Sequence, residues 1–235
     1  MLTIRKADDR GTSIFYWLNS QHTFSFGQYM DSRHMGFGNL RVINEDRVVP
    51  GAGFGTHSHR DMEIVSYVLE GELAHKDSMG TGSVIRPGDV QRMTAGTGVS
   101  HSEMNYSKIA PVHFLQIWIL PQKKGLEPSY EQKHFEMAER QNQWRLVGSQ
   151  DGREGSVLIH QDISLYTATL SAHKAVIYDL DEDRQGWLQV TRGAVRVDCE
   201  YLLSAGDGAA ISDMDVATFT AMEDNTEVLL FDLAL

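Results

Sequence analysis

His57-Ser58-His59 and His101-Ser102-Glu103 decide the reading of this chain, because each places two metal-ligating side chains two residues apart. On a β-strand that spacing puts both on one face, since successive side chains alternate. Two such strands lying side by side present three imidazole nitrogens and one carboxylate oxygen to a common point. That donor set suits a divalent transition metal far better than calcium or magnesium, which take oxygen ligands. The expectation is a metal centre inside a β-barrel.

Outward from these pairs, the periodicities are short and β-like. Leu40-Arg-Val-Ile43, Glu63-Ile-Val-Ser-Tyr-Val-Leu69 and Val112-His-Phe-Leu-Gln-Ile-Trp-Ile-Leu120 are rich in branched and aromatic residues and end at Gly, Pro, Asn or Asp, so each predicts a strand. Gly51, Gly53 and Gly55 before the first pair, and Gly96 and Gly98 before the second, supply turns or close backbone approach where the chain delivers ligands. Glu131–Arg140, with few branched residues, is the best short-helix segment, and its moderate polarity suits a linker equally.

The two halves echo one another. Val65-Ser-Tyr-Val-Leu-Glu-Gly71, followed by Arg86-Pro-Gly-Asp89, returns as Trp187-Leu-Gln-Val-Thr-Arg-Gly193, followed by Ala205-Gly-Asp207. Stepping back from Gly71 reaches His57 and His59, whereas the same steps from Gly193 reach Asp179 and Asp181. Stepping thirteen residues on from Gly88 reaches His101, but from Gly206 it reaches Phe219. Two similar antiparallel β-barrels in tandem are therefore expected, and only the first keeps metal ligands. The division is placed at residues 1–130 and 131–235.

Composition narrows the function classes. With 21 Lys+Arg against 32 Asp+Glu, a net charge of −11 disfavours nucleic acid and anionic membranes, both of which it would repel. No leader-like start and no apolar run of about 18 residues is read in the sequence, so a cytoplasmic protein, and a monomer, is expected. The single Cys199 fits a reducing compartment and leaves the site without thiolates.

The same residues resemble a known superfamily. Gly51-x5-His57-x-His59-x3-Glu63 is similar to the first cupin motif, and Gly98-x2-His101-x3-Asn105 to the core of the second. Gly71 lies one residue late for the first motif, and Gly96 stands where the second usually has proline. Within the cupins the chain resembles the pirin family. The likeness runs through His22-Thr-Phe-Ser-Phe26, Gly53-Phe-Gly-Thr-His-x-His-Arg-Asp-Met-Glu63, His75-Lys-Asp-Ser-Met-Gly80 and Gln116-Ile-Trp-Ile119. It is dense to about residue 135 and thinner beyond.

The resemblance implies an all-β bicupin, two double-stranded β-helix (jelly-roll) barrels in tandem. It also implies a mononuclear site on His57, His59, His101 and Glu103, commonly iron(II), with manganese, cobalt, nickel, copper or zinc as alternatives. The activity it implies in some members is a flavonol dioxygenase of the quercetin 2,3-dioxygenase type, with a flavonol and dioxygen as partners. Glu103 is the expected proton acceptor as well as a ligand. Glu63 is expected to orient a ligand histidine or to face solvent. A metal-dependent regulatory protein that contacts another protein and turns over no substrate is the competing reading, and zinc hydrolysis is disfavoured because no dedicated acid or nucleophile accompanies the ligands. The remaining histidines, His22, His34, His75, His113, His134, His160 and His173, are read as structural or solvated. Phe24, Phe26, Tyr29, Phe37 and Phe54 are read as core residues or as walls of a substrate cavity.

Overall fold

The computed structural model describes every residue except Asp215. The first strands are β1 (Leu2–Arg5), β2 (Gly11–Ile14), β3 (Leu18–His22), β4 (Leu40–Val48), β5 (Gly53–His59) and β6 (Glu63–Glu70). Then come β7 (Leu73–Asp77), β8 (Gly82–Ile85), β9 (Asp89–Thr94), β10 (Val99–Asn105), β11 (Val112–Ile119), β12 (Ser129–His134) and a short α1 (Met137–Arg140). After it run β13 (Arg145–Ser149), β14 (Val157–Leu158), β15 (Ile163–Leu170), β16 (Ala175–Asp179) and β17 (Arg184–Arg192). The chain closes with β18 (Ala194–Val197), β19 (Tyr201–Ser204), β20 (Gly208–Ile211), β21 (Val216–Ala221) and β22 (Thr226–Ala234). The three apolar runs form β4, β6 and β11 as expected. Among the described residues no helix is long and apolar enough to cross a membrane.

Glu131–Arg140 is not one helix. Residues 131–134 belong to β12, and α1 covers only Met137–Arg140. Tertiary pairing overrides the local preference, which is weak: β12 lies antiparallel to β9 from Ser129↔Thr94 to His134↔Asp89. Its charges are spent there, because Glu131 meets Lys133 at 2.8 Å and Arg92 at 3.3 Å.

By compactness the chain divides into two units. The first is Gly11–His134 with Val157–Gln161; the second is Met1–Arg10, Phe135–Ser156 and Asp162–Leu235. In the first, a larger sheet ordered β12-β9-β6-β11-β4-β3-β2 accompanies a smaller one ordered β5-β10-β7-β8. Buried apolar residues from both sheets meet, as where Val68 and Phe114 join Leu73 and Ile85. In the second unit the larger sheet carries β1-β20-β17-β22-β15-β13 and the smaller β16-β21-β18-β19.

The repeat in the sequence is a repeat of topology. The order β9-β6-β11-β4 recurs as β20-β17-β22-β15, and β5-β10-β7-β8 as β16-β21-β18-β19. Gly71 and Gly193 end the matching strands with φ of +80° and +69°; a Cβ would lie 2.6 Å from the Pro111 carbonyl oxygen and 2.5 Å from Thr226 Oγ1, respectively. Only glycine fits both the left-handed backbone and the close approach.

What differs is the interior. Across the first unit's larger sheet, His22 stands opposite Asn44, Asn44 opposite Gln116, Gln116 opposite Ser66 and Ser66 opposite Gln91. All five are buried. The matching row of the second unit is Tyr166, Leu230, Leu188 and Ala209, in or against a core that also takes Val176 and Phe219. Phe219 faces Val176 across the strands, as His101 faces His57. Asp179, reached by counting from Gly193, instead sits opposite Val216 at the end of β16, because the stretch from the end of β16 to Gly193 is longer than that from the end of β5 to Gly71. Apolar packing thus fills the place that holds histidines in the first unit.

Phe219 is fully buried in that core. Phe219→Ala should therefore cost about 3–5 kcal/mol of unfolding free energy in urea titration. A loss below about 1 kcal/mol would contradict this packing.

Candidate metal centre

The site starts from one strand pairing. β10 lies antiparallel to β5, with Val99 opposite His59 and His101 opposite His57. Along β10 burial alternates strictly, so His101, Glu103 and Asn105 point inward while Ser100 and Ser102 point away. The register slips between His101 and Glu103, which pairs with Phe54. A bulge of this kind re-aims side chains beside functional sites, and here Phe54, His57 and His59 all line one cavity.

The ligand nitrogens of His57, His59 and His101 lie within 4.8 Å of one another. His57 Nε2 is 3.1 Å from His101 Nε2. His57 Nδ1 is 2.8 Å from the Gly55 carbonyl oxygen, which can only accept. The proton is therefore on Nδ1, and in neutral His57 the lone pair on Nε2 faces the cluster. Burial pulls His59 down to about 4, helped by the charge of His57. Burial pulls His101 down to about 3, with His57, His59 and His75 adding to the effect. Both are neutral imidazoles near pH 7, the form that binds metal.

Glu103 is fully buried, two residues beyond His101 on the same face of β10. Ser66 Oγ donates to its Oε1 at 3.1 Å, and Gln116 Nε2 donates to its Oε2 at 2.5 Å. Burial raises its pKa, opposed first by the Gln116 hydrogen bond. The tight group contains the three histidines and not Glu103.

A divalent transition metal fits these residues. Two metal–nitrogen bonds of about 2.1 Å meeting near a right angle hold their nitrogens about 3.0 Å apart, close to the 3.1 Å between His57 and His101. Three imidazole nitrogens with one buried carboxylate nearby also match the nitrogen-rich donor sets of such ions rather than the all-oxygen sets of calcium.

The cavity beside the histidines encloses about 380 Å³. Its walls are aromatic, from Phe15, Trp17, Phe26, Phe54 and Trp118; its polar side carries Ser13, His22, Asn44, Asp46 and Gln116. Trp17 meets Phe54 edge-on at 5.1 Å, and Phe26 meets Trp118 at 5.3 Å. Asp46 Oδ1 and Trp118 Nε1 are buried and have no partner among the described residues. Burial pushes the Asp46 carboxyl up to about 7, against a hydrogen bond from Ser20 and with the charges of Glu103 and Glu45 adding to the rise.

Several sequence expectations resolve here. Of the five aromatic residues singled out, Phe26 and Phe54 line the cavity, while Phe24 is in the core. Phe15, Trp17 and Trp118 complete the aromatic wall, and their apolar sequence context does not distinguish them from core packing. Glu63 neither orients a ligand histidine nor faces solvent: it is fully buried and accepts hydrogen bonds from Thr94 Oγ1 at 3.1 Å and from the backbone N–H of His160 at 3.1 Å. Other histidines are held by protein partners, as expected: His22 by Ser13 and Asn44 at 2.8 Å each, and His113 by Glu45 at 2.9 Å.

Two tandem β-barrels with a histidine cluster inside the first define a bicupin protein. Residues 3–119 match the family model described as Pirin, and residues 146–233 match that described as Quercetinase C-terminal cupin domain. A protein of Escherichia coli strain K12 named quercetin 2,3-dioxygenase is 45% identical over 99% of each chain. A pirin-like protein of Caulobacter vibrioides is 38% identical over the whole of both. The crystal structure of the bacterial pirin YhhW from Escherichia coli in complex with nickel(II) superposes with a TM-score of 0.94 at 44% identity, covering 100% of this chain and 99% of that one. The chain belongs to the pirin family.

The Asp46 environment yields a pH signature. Its carboxyl ionises near 3.8 when unfolded but near 7 when folded. Between those values the unfolded chain releases a proton that the native state keeps, so this group's contribution to stability falls as pH rises, levelling above about 7. Asp46→Asn removes that dependence. Its melting temperature relative to wild type should therefore climb between pH 5 and 7.5, by the equivalent of a few kcal/mol at most; a constant difference would refute the assignment.

Proposed function

We propose that this protein is a metal-dependent dioxygenase that cleaves flavonols such as quercetin, with the metal held by His57, His59, His101 and Glu103. The observation that carries this reading is a cluster of three imidazoles, two of which, His57 and His59, line an aromatic-walled cavity of about 380 Å³. Its volume falls in the range of small-molecule sites, about 300–1,000 Å³.

A bound divalent transition metal, iron(II) first among those expected, supplies Lewis acidity that acidifies the flavonol 3-hydroxyl. The protein does the rest. Trp17, Phe54 and Trp118 offer faces and edges to planar rings and exclude water from them. The unspent Asp46 Oδ1 and Trp118 Nε1 are an acceptor and a donor available to phenolic hydroxyls. Glu103 takes the 3-hydroxyl proton. Burial makes it a stronger base than an exposed carboxylate, while Ser66 and Gln116 hold both its oxygens in place. The cleavage adds both atoms of dioxygen to the flavonol, giving a ring-opened depside and carbon monoxide.

Purified protein should hold close to one transition-metal ion per chain, and His59→Ala or His101→Ala should remove most of it in elemental analysis. Unchanged metal content in both variants would sink the ligand assignment. Iron-loaded protein should consume dioxygen and quercetin together, and Glu103→Gln should lose far more kcat than affinity, with metal content measured on both proteins. The amide keeps the shape but cannot accept the proton. No flavonol-dependent oxygen uptake with iron, manganese, cobalt, nickel, copper or zinc would defeat the enzymatic reading in favour of a regulatory, protein-binding role.

A further inference from the structure

Beside His101, and outside the lining of the cavity, lies a buried pair that the proposed chemistry does not use. His75 and Asp77 sit on β7, which pairs with β10 so that Asp77 is opposite His101 and His75 is opposite Glu103. Both side chains are completely shielded from solvent. His75 Nε2 is 3.0 Å from Asp77 Oδ2, and His75 Nδ1 is 3.5 Å from His101 Nδ1. The His75 ring lies against Tyr130, with centroids 4.9 Å apart.

We infer that Asp77 and His75 are positioning residues that set the tautomer of His101, leaving its Nε2 lone pair bare for a divalent cation. Asp77 cannot rotate away, because its Oδ1 accepts the backbone N–H groups of Met79 at 2.9 Å and Thr81 at 3.0 Å. Its Oδ2 is thereby aimed at His75, and as a carboxylate oxygen it only accepts. The His75 proton must then sit on Nε2, which makes Nδ1 of the neutral ring an acceptor. Among the described residues the group that meets that acceptor is His101 Nδ1, at 3.5 Å, so the His101 proton sits there. Its Nε2 is left bare, and it looks across 3.1 Å at His57 Nε2, which the Gly55 carbonyl has likewise left bare. Two lone pairs aimed at each other over that distance repel in the absence of a cation between them. The fold therefore holds the imidazoles ready for an ion, as outer hydrogen bonds do for metal-bound histidines generally.

This inference rests on the metal reading above, and Asp77→Asn tests it. The amide oxygen still caps Met79 and Thr81, but the amide nitrogen now donates to His75. That inverts His75, which in turn inverts His101 and puts a proton on its Nε2. In the metal-free variant, nitrogen-15 NMR should show His101 protonated at Nε2, against Nδ1 in wild type. Chelator competition with nickel(II) and iron(II) should show affinity about 10- to 100-fold weaker, with the circular dichroism spectrum unchanged. A merely structural Asp77 would leave the tautomer alone. If wild type binds and Asp77→Asn binds equally, or if His101 keeps its Nδ1 proton in the variant, the relay is wrong and the metal reading survives. If wild type binds neither ion, both fall. Should the variant fail to fold, the wild-type spectrum decides: His75 protonated at Nε2 with His101 protonated at Nδ1 supports the relay, and any other pairing overturns it.

Discussion

Placing the Glu103 carboxylate at the centre of a β-barrel is the constraint on which the first unit is built. A buried carboxylate without partners costs several kcal/mol, so the surrounding strands must answer it. The larger sheet does so with a lateral row of polar side chains, two of which, Ser66 and Gln116, donate to its two oxygens. The smaller sheet sets His101 two residues away on β10 and His75 directly opposite. Each polar group then requires another: His22 needs Asn44, and His75 needs Asp77. Networks of this kind favour one arrangement because partial satisfaction is worse than none.

The second unit keeps the topology without that constraint. Leu188, Leu230 and Ala209 occupy the matching row, and Phe219 takes the place opposite β16 that His101 takes opposite β5. Its core is a continuous apolar cluster running from Ala168 to Leu230, stabilised by area removed from water rather than by directional bonds. One backbone plan thus supports both a polar interior and a dry one. The side chains of the central strands decide which.

How much of this was legible in the sequence follows from the range of each interaction. The histidines at 57, 59 and 101 were visible because strand geometry turns a two-residue spacing into a shared face. The tandem repeat was visible through Gly71 and Gly193, whose backbone conformation and close approach admit no other residue. Counting back from Gly193 to Asp179 failed because the length of the connection between strands varies where strand pairing does not. The helix expected over Glu131–Arg140 failed because β9 offered those residues a partner. The partners of Glu63 were out of reach: His160 lies 97 residues away, with no local pattern to announce it. The Asp77 link was hidden differently, in that a third residue, His75, had to be placed before Asp77 and His101 could be connected.

The compact units do not follow a single cut in the chain. Met1–Arg10 goes with the second unit, and Val157–Gln161 goes with the first. β1 adds a strand to the larger sheet of the second unit through β20, and Lys6 in that N-terminal segment meets Asp207 at 2.8 Å. In return, His160 supplies the backbone N–H that Glu63 accepts. A gene crossover at any one point divides the second unit, whose segments lie on both sides of the first. However the tandem arose, the two barrels are now inherited together and cannot be shuffled between proteins as interchangeable modules.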